Sequence, residues 1–221
     1  MQHDVVISLP VYGEGFPARN LQSDYDCRFS IVAMNTQAFL AALAAHTPAD
    51  QQEATHRDNM IRFVASHRTT WWMRATEQGH VTGSAWIVNR ARTHALLLHH
   101  IKLDLWVQPG GHLDDTDATP AAGAMREARE ETGLSRLTLA SEALFDVDIH
   151  AIPARPARPG KAPIEPAHLH YDVRYLIMSC DNDVSISEES HAAKWMLLEQ
   201  LAQPTQERSI ARMAEKSIRP G

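Results

Sequence analysis

The stretch Arg126-Glu127-Ala128-Arg129-Glu130-Glu131-Thr132-Gly133-Leu134, with Pro109-Gly110-Gly111 upstream, constrains this chain more than any other. Its ends define a helix. Thr119 is a good N-cap, Pro120 fits the first helical position, and Gly133 stands where a left-handed residue is wanted after the last turn. At roughly 100° per residue, Glu127, Glu130 and Glu131 fall within an arc of about 100°, while Ala121, Met125, Ala128 and Thr132 gather on another side. The apolar side is expected on a core and the acidic side on a cavity. Three neighbouring carboxylates repel one another unless a cation or basic partners neutralise them, and hard oxygen ligands suit magnesium or manganese better than zinc or copper. Taken alone, the run reads more plainly as a solvated acidic face, with Arg126 and Glu130, and Glu127 and Glu131, as ordinary i,i+4 neighbours. The glycine loop upstream weighs against that.

From Gly110 to Leu134 the chain resembles the signature of the Nudix hydrolases, which runs Gly, five residues, Glu, seven residues, then Arg-Glu-apolar-any-Glu-Glu-any-Gly-apolar. Arg126, Glu127, Ala128, Glu130, Glu131, Gly133 and Leu134 match its second half. The first half departs: Ala118 stands where the Glu belongs and His112 where the Gly belongs. One extra loop residue restores the register, with Asp117 in place of the missing Glu. The resemblance implies an α/β fold, a mixed sheet between helices, and hydrolysis of a nucleoside diphosphate linked to another moiety. It further implies that Glu127, Glu130 and Glu131 ligate magnesium or manganese, that the Gly110 carbonyl completes the inner shell, and that Arg126 orients the carboxylates. Many such proteins take a general base from a late loop, which brings Glu189 forward beside Glu131, with Glu188 behind.

Composition fits an enzyme of this kind. With 221 residues, 44% of them hydrophobic, the chain holds one catalytic domain plus an extension. A net charge of −6 argues against general affinity for nucleic acid. No basic segment followed by an apolar run opens the chain, and no apolar run reaches the length of a membrane span. Cys27 and Cys180 stand far apart without metal-ligand spacing, so a reduced, cytoplasmic setting is expected.

Residues 1–75 read as a largely helical extension and 76–221 as the catalytic domain. Val5 to Val11 forms a short strand on this reading, and helical spacing covers Asn35 to His46 and Asp58 to His67, with Pro48-Ala49-Asp50 between. The extension is expected to pack on the catalytic domain or to contribute to a homodimer. Val81 to Val88 and Ala95 to His99 read as a hairpin feeding Trp106-Val107-Gln108 and the glycine loop. Ala193 to Leu198 reads as the last strand, followed by helical pieces at Glu199 to Leu201 and Thr205 to Ile218.

Two further strands alternate, Leu144 to Ile149 and Ala167 to Ile177, and put Asp148, His150, His168, His170 and Asp172 on one sheet face. That face is read either as lining the cavity beside the acidic helix, its histidines donating to phosphate, base or sugar or holding an extra metal, or as the wet face of a partly covered antiparallel sheet. His99, His100, Lys102 and His112 cluster near the glycine loop, Lys102 and His112 being the stronger phosphate contacts; His170 and Asp172 complete the substrate-binding set. Pro153 to Pro166 is a long loop whose Arg155, Arg158 and Lys161 either close over a diphosphate or simply face solvent.

The expected activity is a magnesium-dependent pyrophosphohydrolase acting on a small nucleotide, nucleotide-sugar or ADP-ribose-like. A ligand-binding regulator that has lost turnover and a nucleoside triphosphate pyrophosphatase are the alternatives. The chain has no Ser or Cys nucleophile elbow and no Gly-Lys-Ser/Thr phosphate loop, so water is expected to attack phosphorus directly.

Overall fold

Two side-chain caps start the helical segment. Asn35 accepts the Ala38 N–H ahead of α1 (Thr36–Ala45), and Asp50 accepts the Glu53 N–H ahead of α2 (Gln51–Ser66). The computed structural model describes residues 34–101, 104–155, 165–188 and 190–218, which belong to one compact unit. The second helix begins at Gln51 rather than at Asp58, because the Asp50 cap recruits a polar turn that carries no apolar stripe. The expected strand at Val5 to Val11, and Cys27, lie outside the described residues; Cys180 is an exposed free thiol. Among the described residues no helix is long and apolar enough to cross a membrane.

The sheet is mixed. Its centre is a long parallel pair, β1 (Gly79–Asn89) against β7 (His168–Ser179), in register from Gly79 opposite Leu169 to Asn89 opposite Ser179. β2 (His94–His100) follows β1 through a turn but pairs with it only at Val88 and Ala95. Along the rest of its length it pairs with β3 (Leu105–Val107) and β8 (Ser190–Leu197) in the same sheet. β4 (Gly110–His112) runs antiparallel along Thr82 to Ser84, while β5 (Leu137–Leu139) and β6 (Asp146–Ile152) both pair with β7.

Helices cover both faces. On one side α3 (Pro120–Thr132) meets β1 at Gly83, where an added Cβ would lie 3.0 Å from the Pro120 carbonyl and 3.2 Å from the Ala124 nitrogen. Ala128 and Leu134 pack there with Ile87, Leu96 and Ile177. On the other side α5 (Arg208–Ile218), reached through α4 (Leu198–Leu201), buries Ile210 and Met213 against Trp86, Val88 and Leu97. Helices α1 and α2 join a further cluster in which the Phe63 and Tyr171 rings stack at 4.0 Å.

Neither reading of the polar stripe on β6 and β7, cavity lining or wet face, describes its aspartates. Asp146, Asp148, Asp172 and Arg174 are all buried. Arg174 donates to each of the three carboxylates, at 2.8 Å to Asp172, 3.2 Å to Asp146 and 3.3 Å to Asp148, and Arg212 from α5 donates twice to Asp146 at 2.8 Å. Burial of this many charges holds because each carboxylate finds a guanidinium; an unpaired one would cost several kcal/mol, about 3–5 for a broken buried pair.

Candidate active site

The acidic helix is built as its ends dictate. Thr119 Oγ1 accepts the Ala122 N–H at 3.2 Å, Pro120 opens the first turn, and Gly133 adopts φ +65°. Ala121, Ala124 and Ala128 are buried, which leaves Glu127 and Glu131 against the glycine loop and Glu130 exposed beside them. Two contacts tie loop to helix. The Gly110 N–H donates to Glu131 Oε2 at 2.8 Å. Gly111 lies over Glu127 so closely that an added Cβ would sit 2.7 Å from its carboxyl carbon.

Arg126 organises the carboxylates around itself. Its Nη1 donates to Glu127 at 3.0 Å and to Glu130 at 3.1 Å; its Nη2 donates to the His112 carbonyl at 2.8 Å and to Asp117 at 2.9 Å; its Nε donates to Asp117 at 3.2 Å. All its donors are engaged, so it positions the acids and has none left for a substrate. The hydrogen bonds it donates to Asp117, set against burial, raise its pKa further above the ordinary arginine value.

One guanidinium faces four carboxylates here, since Asp114 also approaches to 3.6 Å. The shortage of positive charge is felt at Glu127, where burial first, then the charges of Glu130 and Asp114, push the pKa up in spite of Arg126. An oxygen-only donor set with excess negative charge, cradled by a glycine backbone, fits a hard divalent cation.

A model of the NUDIX domain matches residues 79–216. The chain belongs to the NUDIX family. It is thus a hydrolase of pyrophosphate bonds. No curated protein matches it in sequence. Among solved structures, an Ap4A hydrolase of C. elegans in a binary complex is similar at 20% identity, covering 62% of this chain and 93% of that one, with a TM-score of 0.45. A NUDIX-family hydrolase from Clostridium perfringens is similar at 27% identity, over 62% and 95%, with a TM-score of 0.44. A MutT NUDIX hydrolase from Burkholderia pseudomallei is similar at 25% identity, over 65% and 100%, with a TM-score of 0.44.

The other sequence-derived candidates are distributed differently from expectation around this NUDIX helix. Lys102 and Glu189, with Arg158 and Lys161 of the proline-rich loop, lie outside the described residues. Glu188 is exposed in the loop before β8, and that loop is tied to the end of α3 by Ser185 N–H to the Thr132 carbonyl (2.9 Å) and Ser187 N–H to the Glu131 carbonyl (3.2 Å). His99 pairs with Asp104 and stacks on Trp106. Asp172 does not offer a free acceptor, because Thr82 and Ser84 hydroxyls, Gln108 and Arg174 all donate to it.

His112 and His170 project from the sheet face opposite α3. Gly83 and Gly111 face the helix, and alternation sends Thr82, Ser84 and His112 to the reverse side. There His112 and His170 gather with His168 and with His80, a residue that sequence reasoning missed. The available signal was the alternation His80, Thr82, Ser84 at the start of β1. Burial, followed by the neighbouring charges, holds His80 at about 3, His112 at about 4 and His170 at about 2, so these rings are neutral at pH 7.

Proposed function

We propose that this NUDIX hydrolase is a magnesium-dependent pyrophosphohydrolase that cleaves a nucleoside diphosphate joined to a second group, nucleotide-sugar or ADP-ribose-like. One observation carries the reading: Glu127, Glu130 and Glu131 share one side of α3, Glu127 under Gly111 and Glu131 on the Gly110 N–H, with four carboxylates around a single arginine. Glu127, Glu130, Glu131 and the Gly110 carbonyl would hold the cation. Bound there, magnesium supplies charge neutralisation at phosphate oxygens and acidifies water near neutral pH.

The chain's own residues do the rest. Arg126 keeps Glu127 and Glu130 aimed, and the Gly110 N–H fixes one oxygen of Glu131. Glu131, with Glu189 as the other candidate, takes the proton of the attacking water. Water oxygen bonds to phosphorus, the anhydride P–O bond breaks, and the departing group leaves as a monophosphate. The same reading treats residues 1–75 as an extension ahead of the family match, a homodimer contact among its roles, in a cytoplasmic protein. The net charge of −6 supports a small-molecule partner rather than nucleic acid.

A nucleotide panel assayed with and without magnesium, in oxygen-18 water, tests this. Magnesium-dependent release is expected, with label in one of two monophosphate products. Label only in a sugar or alcohol product, or a trapped phospho-enzyme, overturns the mechanism; tight nucleotide binding without hydrolysis across the panel supports a regulator instead.

A further inference from the structure

We propose that His80, His168 and His170 form a second metal site, for a borderline divalent cation of the zinc class, on the sheet face opposite the acidic helix. The register of the central strands creates it. His80 on β1 stands directly opposite His170 on the parallel β7, and His168, two residues earlier on β7, shares their face. Ring centroids lie 4.9 Å apart for His80 and His170, and 5.1 Å for His80 and His168 and for His168 and His170. One nitrogen of each ring lies within 4.8 Å of one nitrogen of each other. Tetrahedral zinc with bonds near 2.0–2.1 Å places its ligand atoms about 3.4 Å apart, so small ring rotations close the set.

Among the described residues neither ring nitrogen of His80 has a hydrogen-bond partner, and the residue is 1% exposed. Nε2 of His168 and of His170 is likewise buried without a partner. Buried polar atoms are ordinarily paired, and several unpaired ones converging on one point call for a common partner that accepts lone pairs. The orientation of His168 agrees: its Nδ1 lies 2.9 Å from the Pro166 carbonyl, to which it donates, leaving the Nε2 lone pair facing the cluster. A carbonyl holding the far nitrogen is the arrangement that metal-ligating histidines use.

His112 extends the set. Its Nε2 is also buried and unpartnered, and its ring lies 4.9 Å from His80 and 5.3 Å from His170, beside the position a fourth ligand or a water would take. Arg74, whose charge reaches His80 and His112, is paired with Glu165 at 3.8 Å. Three imidazole nitrogens are ligands that suit zinc, nickel or copper better than magnesium, so the two faces of one sheet sort two classes of cation. The site would also pin Pro166, where the long loop ends, to the first residues of β1.

Zinc titration of the chelator-treated full-length chain by calorimetry, with cobalt(II) absorption as a second readout, tests the proposal. One zinc per chain is expected, cobalt should give the intense visible bands of a tetrahedral site, and both should survive in Glu130→Gln. His168→Ala and His168→Gln should each weaken zinc at least tenfold while far-ultraviolet circular dichroism stays native; the half-exposed position of His168 spares the fold. Zinc binding equal in wild type and both His168 variants overturns the proposal, as does binding that Glu130→Gln alone abolishes.

Discussion

Arg126 and Asp117 meet through two parallel hydrogen bonds, Nε to Oδ1 at 3.2 Å and Nη2 to Oδ2 at 2.9 Å. Asp117 is 5% exposed, and its Oδ2 also accepts the Asp114 N–H at 2.8 Å, which closes the loop between β4 and α3. Asp117 therefore sets an acid against the arginine that aims the other carboxylates. Asp117→Asn removes the charge at the centre of this arrangement and is expected to lower turnover about 10–100-fold, the usual size for losing a group that orients ligands. Asp114→Asn, at an exposed side chain 3.6 Å from Arg126, should cost far less. Equal small losses in steady-state kinetics would show that the loop acid has no such role.

Glu130→Gln and Glu131→Gln should each reduce turnover by several orders of magnitude with native circular dichroism. The Glu130 side chain is 59% exposed, and a glutamine at 131 retains an oxygen for the Gly110 N–H, so charge is lost without loss of fold. Near-native turnover of both at saturating magnesium would refute the assignment of α3.

Gly111→Ala places a Cβ 2.7 Å from the Glu127 carboxyl carbon. The carboxylate must move, so the magnesium concentration for half-maximal activity should rise about tenfold or more. An unchanged magnesium dependence would mean that Glu127 is not held by this strand.

A last prediction concerns stability and pH. Burial raises the pKa of Glu53, but hydrogen bonds from His46, Lys216 and the Ala49 N–H outweigh it and hold the carboxyl well below its ordinary 4.5. A depressed carboxylate contributes stability that is complete above the unfolded value and disappears as pH falls through the folded one. Glu53→Gln should thus cost about 3–5 kcal/mol at pH 7, and the gap to wild type should shrink as pH drops below 4.5. Thermal melts across that range give the answer; a constant gap would place the loss in packing rather than charge.

Local chemistry made the acidic helix legible. Its cap, first-turn proline and left-handed glycine act within a few residues of one another, and helical periodicity puts Glu127, Glu130 and Glu131 together without any help from distant chain. Period-two alternation likewise identified β6 and β7 and which of their side chains share a face, while β-rich composition between turn signals marked β1.

What covers each face was decided only in the tertiary structure. Alternation cannot distinguish a wet or cavity-lining polar stripe from one roofed by α5, and it is Arg174 and Arg212 that make Asp146, Asp148 and Asp172 structural. The same holds for the histidines. His80 lies almost ninety residues from His168 and His170, and their meeting depends on a parallel register set by side-chain burial on both faces of β1 and β7, a long-range pairing that no local spacing encodes. Short-range geometry thus determined the carboxylate helix, whereas strand pairing and helix cover decided which of the remaining titratable groups are structural and which converge on one point.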